Sequence, residues 1–173
     1  LDKSIFTKLV FQKQTDKYQK GYTSWTHLTS MLFAQFANSK SLRDISNGLR
    51  SATGNLNHLG IKKAPSKSTI SYQNKNRDWT LFRDYYYKLS THLGQQAKFK
   101  QKKFRIKSKI LLLDSSTISL CLSLFDWAKY KTSKGAIKLH TLLDYDGNLP
   151  TYINVSDGKT ADNKGAYDLP LIK

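Results

Sequence analysis

The spacing of apolar residues changes once along this chain, near residue 109, and that change limits it to a two-part fold. Up to about Gly94 the spacing is helical. In "HLTSMLFAQFA", Leu28, Met31, Leu32 and Phe36 share one face. A tight polar turn, "NSKS", leads to Ser41, a helix cap with Asp44 three residues on, and then to Leu42, Ile45 and Leu49. Gly54, Gly60 and Pro65 break the following segment into a loop. Ser66 caps a polar, basic helix, and Leu81, Phe82, Tyr85, Tyr86, Leu89 and Leu93 form one more apolar stripe, stopped at Gly94. From Ile110 the texture is that of strands. Four apolar residues, Ile110–Leu113, run into Asp114, followed by alternation through Ile118, Leu120, Leu122 and Leu124. Two further strands, Ile137–Leu143 and Thr151–Val155, flank a hairpin signal at Asp146-Gly147. Asp157-Gly158 reads as a turn, and Asp162 as the cap of a helix beginning after it.

Charge divides at the same place. Residues 1–109 hold 22 Lys and Arg against 5 Asp, whereas residues 110–173 hold 7 of each sign, so the whole net charge of +17 lies in the first part. A basic surface attracts polyanions and gains affinity by releasing their counterions. Nucleic acid is therefore the leading partner. An anionic membrane lacks support, because no basic helix with a strongly apolar face is evident. No run approaches the roughly 20 apolar residues of a membrane span, and the first residues do not form a signal peptide. The chain starts with Leu rather than Met, which reads as a fragment or a missing start.

Several chemistries are excluded. One cysteine, Cys121, allows neither an intrachain disulfide nor a cysteine-rich zinc site. His27, His58, His92 and His140 have no metal-ligand spacing. All 12 acids are aspartates, so a mechanism needing glutamate cannot be completed by these residues.

Two features carry candidate chemistry. The segment Lys67–Arg77 offers Lys, Arg, Asn, Gln and Ser, the inventory of a helix that reaches phosphates and base edges. Lys67, Lys75 and Arg77 are its candidate DNA contacts; a solvated helix face uses the same residues. The run from Lys98 to Lys109 adds candidate phosphate contacts at Lys98, Lys100, Lys102, Lys103, Arg105 and Lys107. Asp114 ends an apolar run, where a strand can hold a carboxylate rigidly for Mg²⁺ or Mn²⁺. The competing reading is a strand ending in an Asp-Ser turn.

The order of these parts resembles the DDE-type transposases of bacterial insertion sequences, closest to the group related to insertion sequence four. A basic helical front is followed by "LLLDSST", then by "KGAIKLHTLLDYDGNLPTYINVSDGKTADNKGA". The resemblance implies an α+β chain. Residues 1–107 would form a helix-turn-helix-like DNA-binding domain with a basic linker. Residues 108–173 would open a ribonuclease-H-like α/β core, its mixed sheet beginning as an antiparallel meander. It implies that Asp114 is the first catalytic Asp and a metal ligand, that double-stranded terminal inverted repeats are the substrate, and that metal-dependent strand cleavage and transfer is the activity. A homodimer in a synaptic complex and a bacterial cytoplasmic, nucleoid-associated location follow from the same resemblance. The second Asp and the Glu of the triad are expected beyond Lys173. The alternative is a catalytically inactive DNA-binding fragment acting as a regulator. A core ending at Lys173 is also expected to leave an apolar sheet edge and face open.

Overall fold

The computed structural model describes residues 1–52, 54–95, 110–120, 129–131, 134–145, 149–164 and 167. The chain divides into two compact units, Leu1–Leu89 and Ser90–Lys173. The boundary expected at residue 107 falls outside the described residues.

The first unit is built on helices α1 (Lys3–Lys13), α2 (Ser24–Phe36), α3 (Leu42–Ser51), α4 (Lys67–Asn76) and α5, which begins at Thr80 and runs to Gly94. The caps are those expected. The Ser41 hydroxyl accepts the Asp44 N–H at 3.2 Å, while the Asp44 carboxylate accepts the Lys40 N–H at 3.2 Å. The Ser66 hydroxyl accepts the Thr69 N–H at 3.1 Å. Each cap satisfies a donor that the first helical turn leaves free.

Two apolar clusters hold the unit together. Tyr22, Ala34, Ile45, Leu49, Ile61 and Ile70 form one, joining α2, α3, α4 and the loop between α3 and α4. Phe6, Leu9, Leu81 and Tyr85 form the other, with Trp25, Leu28 and Phe82 packed against them. The ring of Phe6 meets Trp25 and Tyr85 edge-on at 5.5 and 5.0 Å, the geometry that aromatic quadrupoles favour.

Helix α2 serves both clusters, and this alters the stripe expected from its sequence. Phe36 is 85% exposed, while Leu28 and Met31 are only partly buried. The buried residues are Ser24, Thr26, His27, Thr29, Ser30 and Ala34. Small side chains let neighbouring helices approach. Two of the hydroxyls are satisfied within α2, since Thr29 donates to the Trp25 carbonyl at 2.9 Å and Ser30 to that of Thr26 at 2.6 Å, while Ser24 donates to the Asp16 carboxylate at 2.7 Å. Gly48 in α3 belongs to the same packing, since a Cβ there would stand 2.8 Å from the Phe33 ring. The loop after α3 is anchored too. Gly60, at φ +71°, brings the Leu59 carbonyl to the Trp25 indole N–H at 2.9 Å.

The second unit contains β1 (Leu111–Leu120), β2 (Lys129–Lys131), β3 (Lys134–Asp144) and β4 (Leu149–Asp157). All pairings are antiparallel. β3 is central, with β1 along one side and β4 along the other, and short β2 meets the start of β3. Helices followed by an antiparallel sheet make the described chain α+β. A parallel strand, needed for the expected mixed sheet, is not among the described residues.

Alternate residues along a strand point to opposite faces, and here the faces differ. On β3, Ala136, His140 and Leu142 are buried, whereas Ile137, Leu139, Thr141 and Leu143 are only half-buried. The odd-numbered residues share their face with Leu112 and Ile118 of β1 and Val155 of β4, which are 43%, 44% and 52% exposed. An open apolar face is thus present among the described residues.

Candidate functional site

Asp114 does not end its strand. It is the fourth residue of β1, which continues in regular pairing through Ser115 and on to Leu120. The Asp-Ser turn reading is therefore corrected, as is the idea of a buried strand, because most of β1 is exposed, Asp114 included. Asp114 lies opposite Thr141, and Thr141 lies opposite Ile153. Its carboxylate therefore stands on the open face, with Leu112, Leu139 and Leu143 around it in the pairing pattern.

A divalent ion takes six or more oxygens, several of them from carboxylates in a protein site. Among the described residues no group of three or more His, Cys, Asp or Glu could hold a metal ion. Asp114 thus offers one carboxylate, and the described residues do not by themselves form a metal site.

The opposite face of the sheet carries a polar cluster that the sequence did not announce. Ser115 donates to the Asp162 carboxylate at 2.6 Å, and the Lys138 ammonium donates to the same oxygen at 2.8 Å. Beside them His140, fully buried, pairs through Nε2 with the Ser156 hydroxyl at 2.8 Å. The Lys138 ammonium, then the Ser115 hydroxyl, hold the Asp162 carboxyl below its usual range. The helix expected after Asp162 lies largely outside the described residues. Asp162 itself ties the segment after β4 to the sheet. Asp157 makes the expected turn, accepting the Lys159 and Thr160 N–H groups at 3.1 and 2.8 Å.

In the first unit, α4 has two distinct faces. Ile70, Gln73 and Arg77, at helical spacing, are buried. Arg77 differs most from expectation. Its side chain is 2% exposed, it donates to the Tyr22 carbonyl at 2.9 Å, and it lies 3.9 Å from the Asp16 carboxylate. Its guanidinium also rests on the Tyr22 ring, 5.7 Å from the centroid. It is a structural cation in this arrangement rather than one presented to solvent. Asn74 is exposed, but its side chain bonds His27 Nε2 at 2.6 Å. Burial, above all, pushes the His27 imidazole below its usual range. Lys67 and Lys75 are exposed, as a phosphate contact requires. Lys98, Lys100, Lys102, Lys103, Arg105 and Lys107 lie outside the described residues.

The inward turn of Arg77 had no signal in its residue type. It follows from spacing, since positions 70, 73 and 77 form one buried stripe headed by Ile70. No helix among the described residues is long and apolar enough to cross a membrane.

Comparison with known proteins adds two segments. Residues 1–62 match a domain of unknown function, DUF4372. Residues 105–173 match the transposase DDE domain. These matches agree with a DDE-type transposase and reach no narrower group. No curated protein and no solved structure matches the chain.

Proposed function

We propose that this chain, with its transposase DDE segment at residues 105–173, acts in DNA transposition. In this reading its first unit holds double-stranded DNA, and its second contributes the opening strands of a ribonuclease-H-like core. The observation that carries the reading is the position of Asp114, the acid on the first strand of the matched segment, displayed on an open sheet face. Asp114 would provide one oxygen ligand to Mg²⁺ or Mn²⁺, and further ligands would have to be brought to that face. The basic run from Lys98 to Lys107 would hold phosphates, with Lys67 and Lys75 contacting DNA from α4. Arg77 would act by fixing α4 to the Tyr22 carbonyl. Terminal inverted repeats, a homodimeric synaptic complex and a nucleoid-associated location belong to the same reading.

A second reading has its own support. Among the described residues only one carboxylate stands at the candidate site, and the sequence has no glutamate. A DNA-binding chain without catalysis, acting as a regulator, fits that donor set.

Two measurements test these readings. Anisotropy of a labelled DNA duplex should give binding that weakens steeply with salt; no binding at low salt would remove both. Nicking of supercoiled plasmid with Mg²⁺, lost in Asp114→Asn, would support the enzyme. Duplex binding without nicking would support the regulator.

A further inference from the structure

The burial of Arg77 and the bond from Asn74 to His27 change which residues of α4 can meet a ligand. Ile70 enters the apolar cluster, Gln73 bonds the Gln19 side chain at 3.2 Å, Asn74 bonds His27, and Arg77 bonds the Tyr22 carbonyl. Gln73 and Arg77 are buried, and the exposed Asn74 and Asn76 have their side chains engaged within the protein, Asn74 with His27 and Asn76 with the Tyr72 carbonyl at 2.7 Å. The exposed residues of α4 are Lys67, Ser68, Ser71, Tyr72, Asn74, Lys75 and Asn76, and of these the two asparagines already hold partners within the protein. Positions 68, 71, 72 and 75 form one stripe along the helix.

Tyr72 is the unusual member. It is 65% exposed on an otherwise polar, basic face, so burial within this unit does not account for an aromatic there. An exposed aromatic with a hydroxyl tip can make both an apolar and a hydrogen-bonding contact. The surrounding charge specifies the occupant. Between Asp44 and Asp78 the sequence contains no acid, while Arg50, Lys62, Lys63, Lys67 and Lys75 are exposed cations within it. Such a segment complements a polyanion. A helix enters the major groove of B-form DNA, whereas the deep, narrow major groove of A-form RNA excludes it.

We propose that Tyr72 is the sequence-reading residue of α4. Its ring would pack on a thymine methyl in the major groove and its hydroxyl on a neighbouring base edge, with Ser71 beside it and Lys67 and Lys75 on flanking phosphates. This rests on the duplex-binding half of the proposed function and assigns specificity and affinity to different residues.

The test begins with enrichment of a randomised duplex library on the full chain. The enriched duplex, a scrambled duplex and an RNA duplex are then compared by anisotropy across salt. Tyr72→Ala should weaken binding to the enriched duplex about tenfold, within the range of a good base contact. Binding to the scrambled duplex should change by less than about twofold, with the salt slope kept. Lys67→Gln with Lys75→Gln should weaken both duplexes alike and lower the salt slope by about 2. Tyr72→Phe should retain part of the preference. Far-UV circular dichroism is expected to be unchanged in every variant, because each replaced side chain is exposed. An unchanged enriched-to-scrambled ratio in Tyr72→Ala overturns the inference while leaving duplex binding intact. Failure to enrich any sequence, or tighter binding to the RNA duplex, also overturns it. No binding to any DNA duplex overturns the inference together with the DNA-binding reading.

Discussion

The two units place their polar and apolar residues differently. The helical unit places Ser24, Ser30, Ser46, His27 and Arg77 inside, while Phe11 and Phe36 stand 76% and 85% exposed. Its buried polar groups are largely satisfied at close range. Ser46, for example, donates to the Pro65 carbonyl at 2.8 Å. The sheet unit keeps its polar cluster on one face and leaves Leu112, Ile118 and Val155 open on the other. The helical unit is closed by specific hydrogen bonds, so its interior is intolerant of change. The sheet carries an apolar face that asks for a cover, a feature of interaction surfaces. Composition alone would have suggested the reverse, because the first unit is the basic one.

This contrast can be broken by paired substitutions. Ile70→Ala, at a fully buried site in the helical unit, should cost about 2–5 kcal/mol. Leu112→Ala on the open sheet face should stay within about 0.5 kcal/mol. Urea unfolding followed by hydrogen exchange at α3 and β3 amides separates the two, and equal costs would end the distinction. Arg77→Met should destabilise the first unit by about 1.5–3 kcal/mol, the range for a charged hydrogen bond whose partner is left behind. A neutral result would mean that Arg77 is free to serve elsewhere.

Acid should separate the units further. Burial lowers the folded-state pKa of His27, so the unfolded chain binds the proton more readily. That contribution is present above the usual imidazole value of about 6.5 and is lost as pH falls below it toward the folded value. The first unit should therefore weaken on mild acidification, and His27→Gln should flatten the slope. The smallest effect is expected at Asp162, whose folded carboxyl titrates lower than in the unfolded chain. Its contribution holds above about pH 4 and fades as pH falls through the depressed value. Asp162→Asn should speed exchange of the Tyr167 amide, which bonds the Lys164 carbonyl just beyond the latch. Unchanged exchange would show that the turn is held without the latch.

Much of the architecture was legible because it rests on short-range rules. Ser41 and Ser66 cap as their positions require, and β3 and β4 fall where the alternation placed them, with longer ends. The α2 stripe was less legible, because a helix serving two clusters has no single apolar face. Arg77 was misread for a related reason. Residue type suggested a ligand, but its side chain completes a hydrogen bond to the Tyr22 carbonyl, with |i−j| of 55. Such a pairing becomes visible only in three dimensions. At Asp114 the sequence supplied the residue but not its setting. The strand passes through it, and the open face follows from pairing with Thr141.

The latch between Ser115, Lys138 and Asp162 has one more consequence, for error-checking as the sheet assembles. Asp114 and Ser115 are neighbours on opposite sides of the sheet, so parity alone separates the candidate metal ligand from the lysine. A slip of one position between β1 and β3 would exchange the two sides. It would turn Asp114 toward Lys138, where a decoy ion pair could form, and carry Ser115 away from Asp162. The three latch groups meet in the observed alignment. Asp162 thereby occupies the ammonium that a mispaired strand would otherwise recruit, and favours the alignment that leaves Asp114 on the open side.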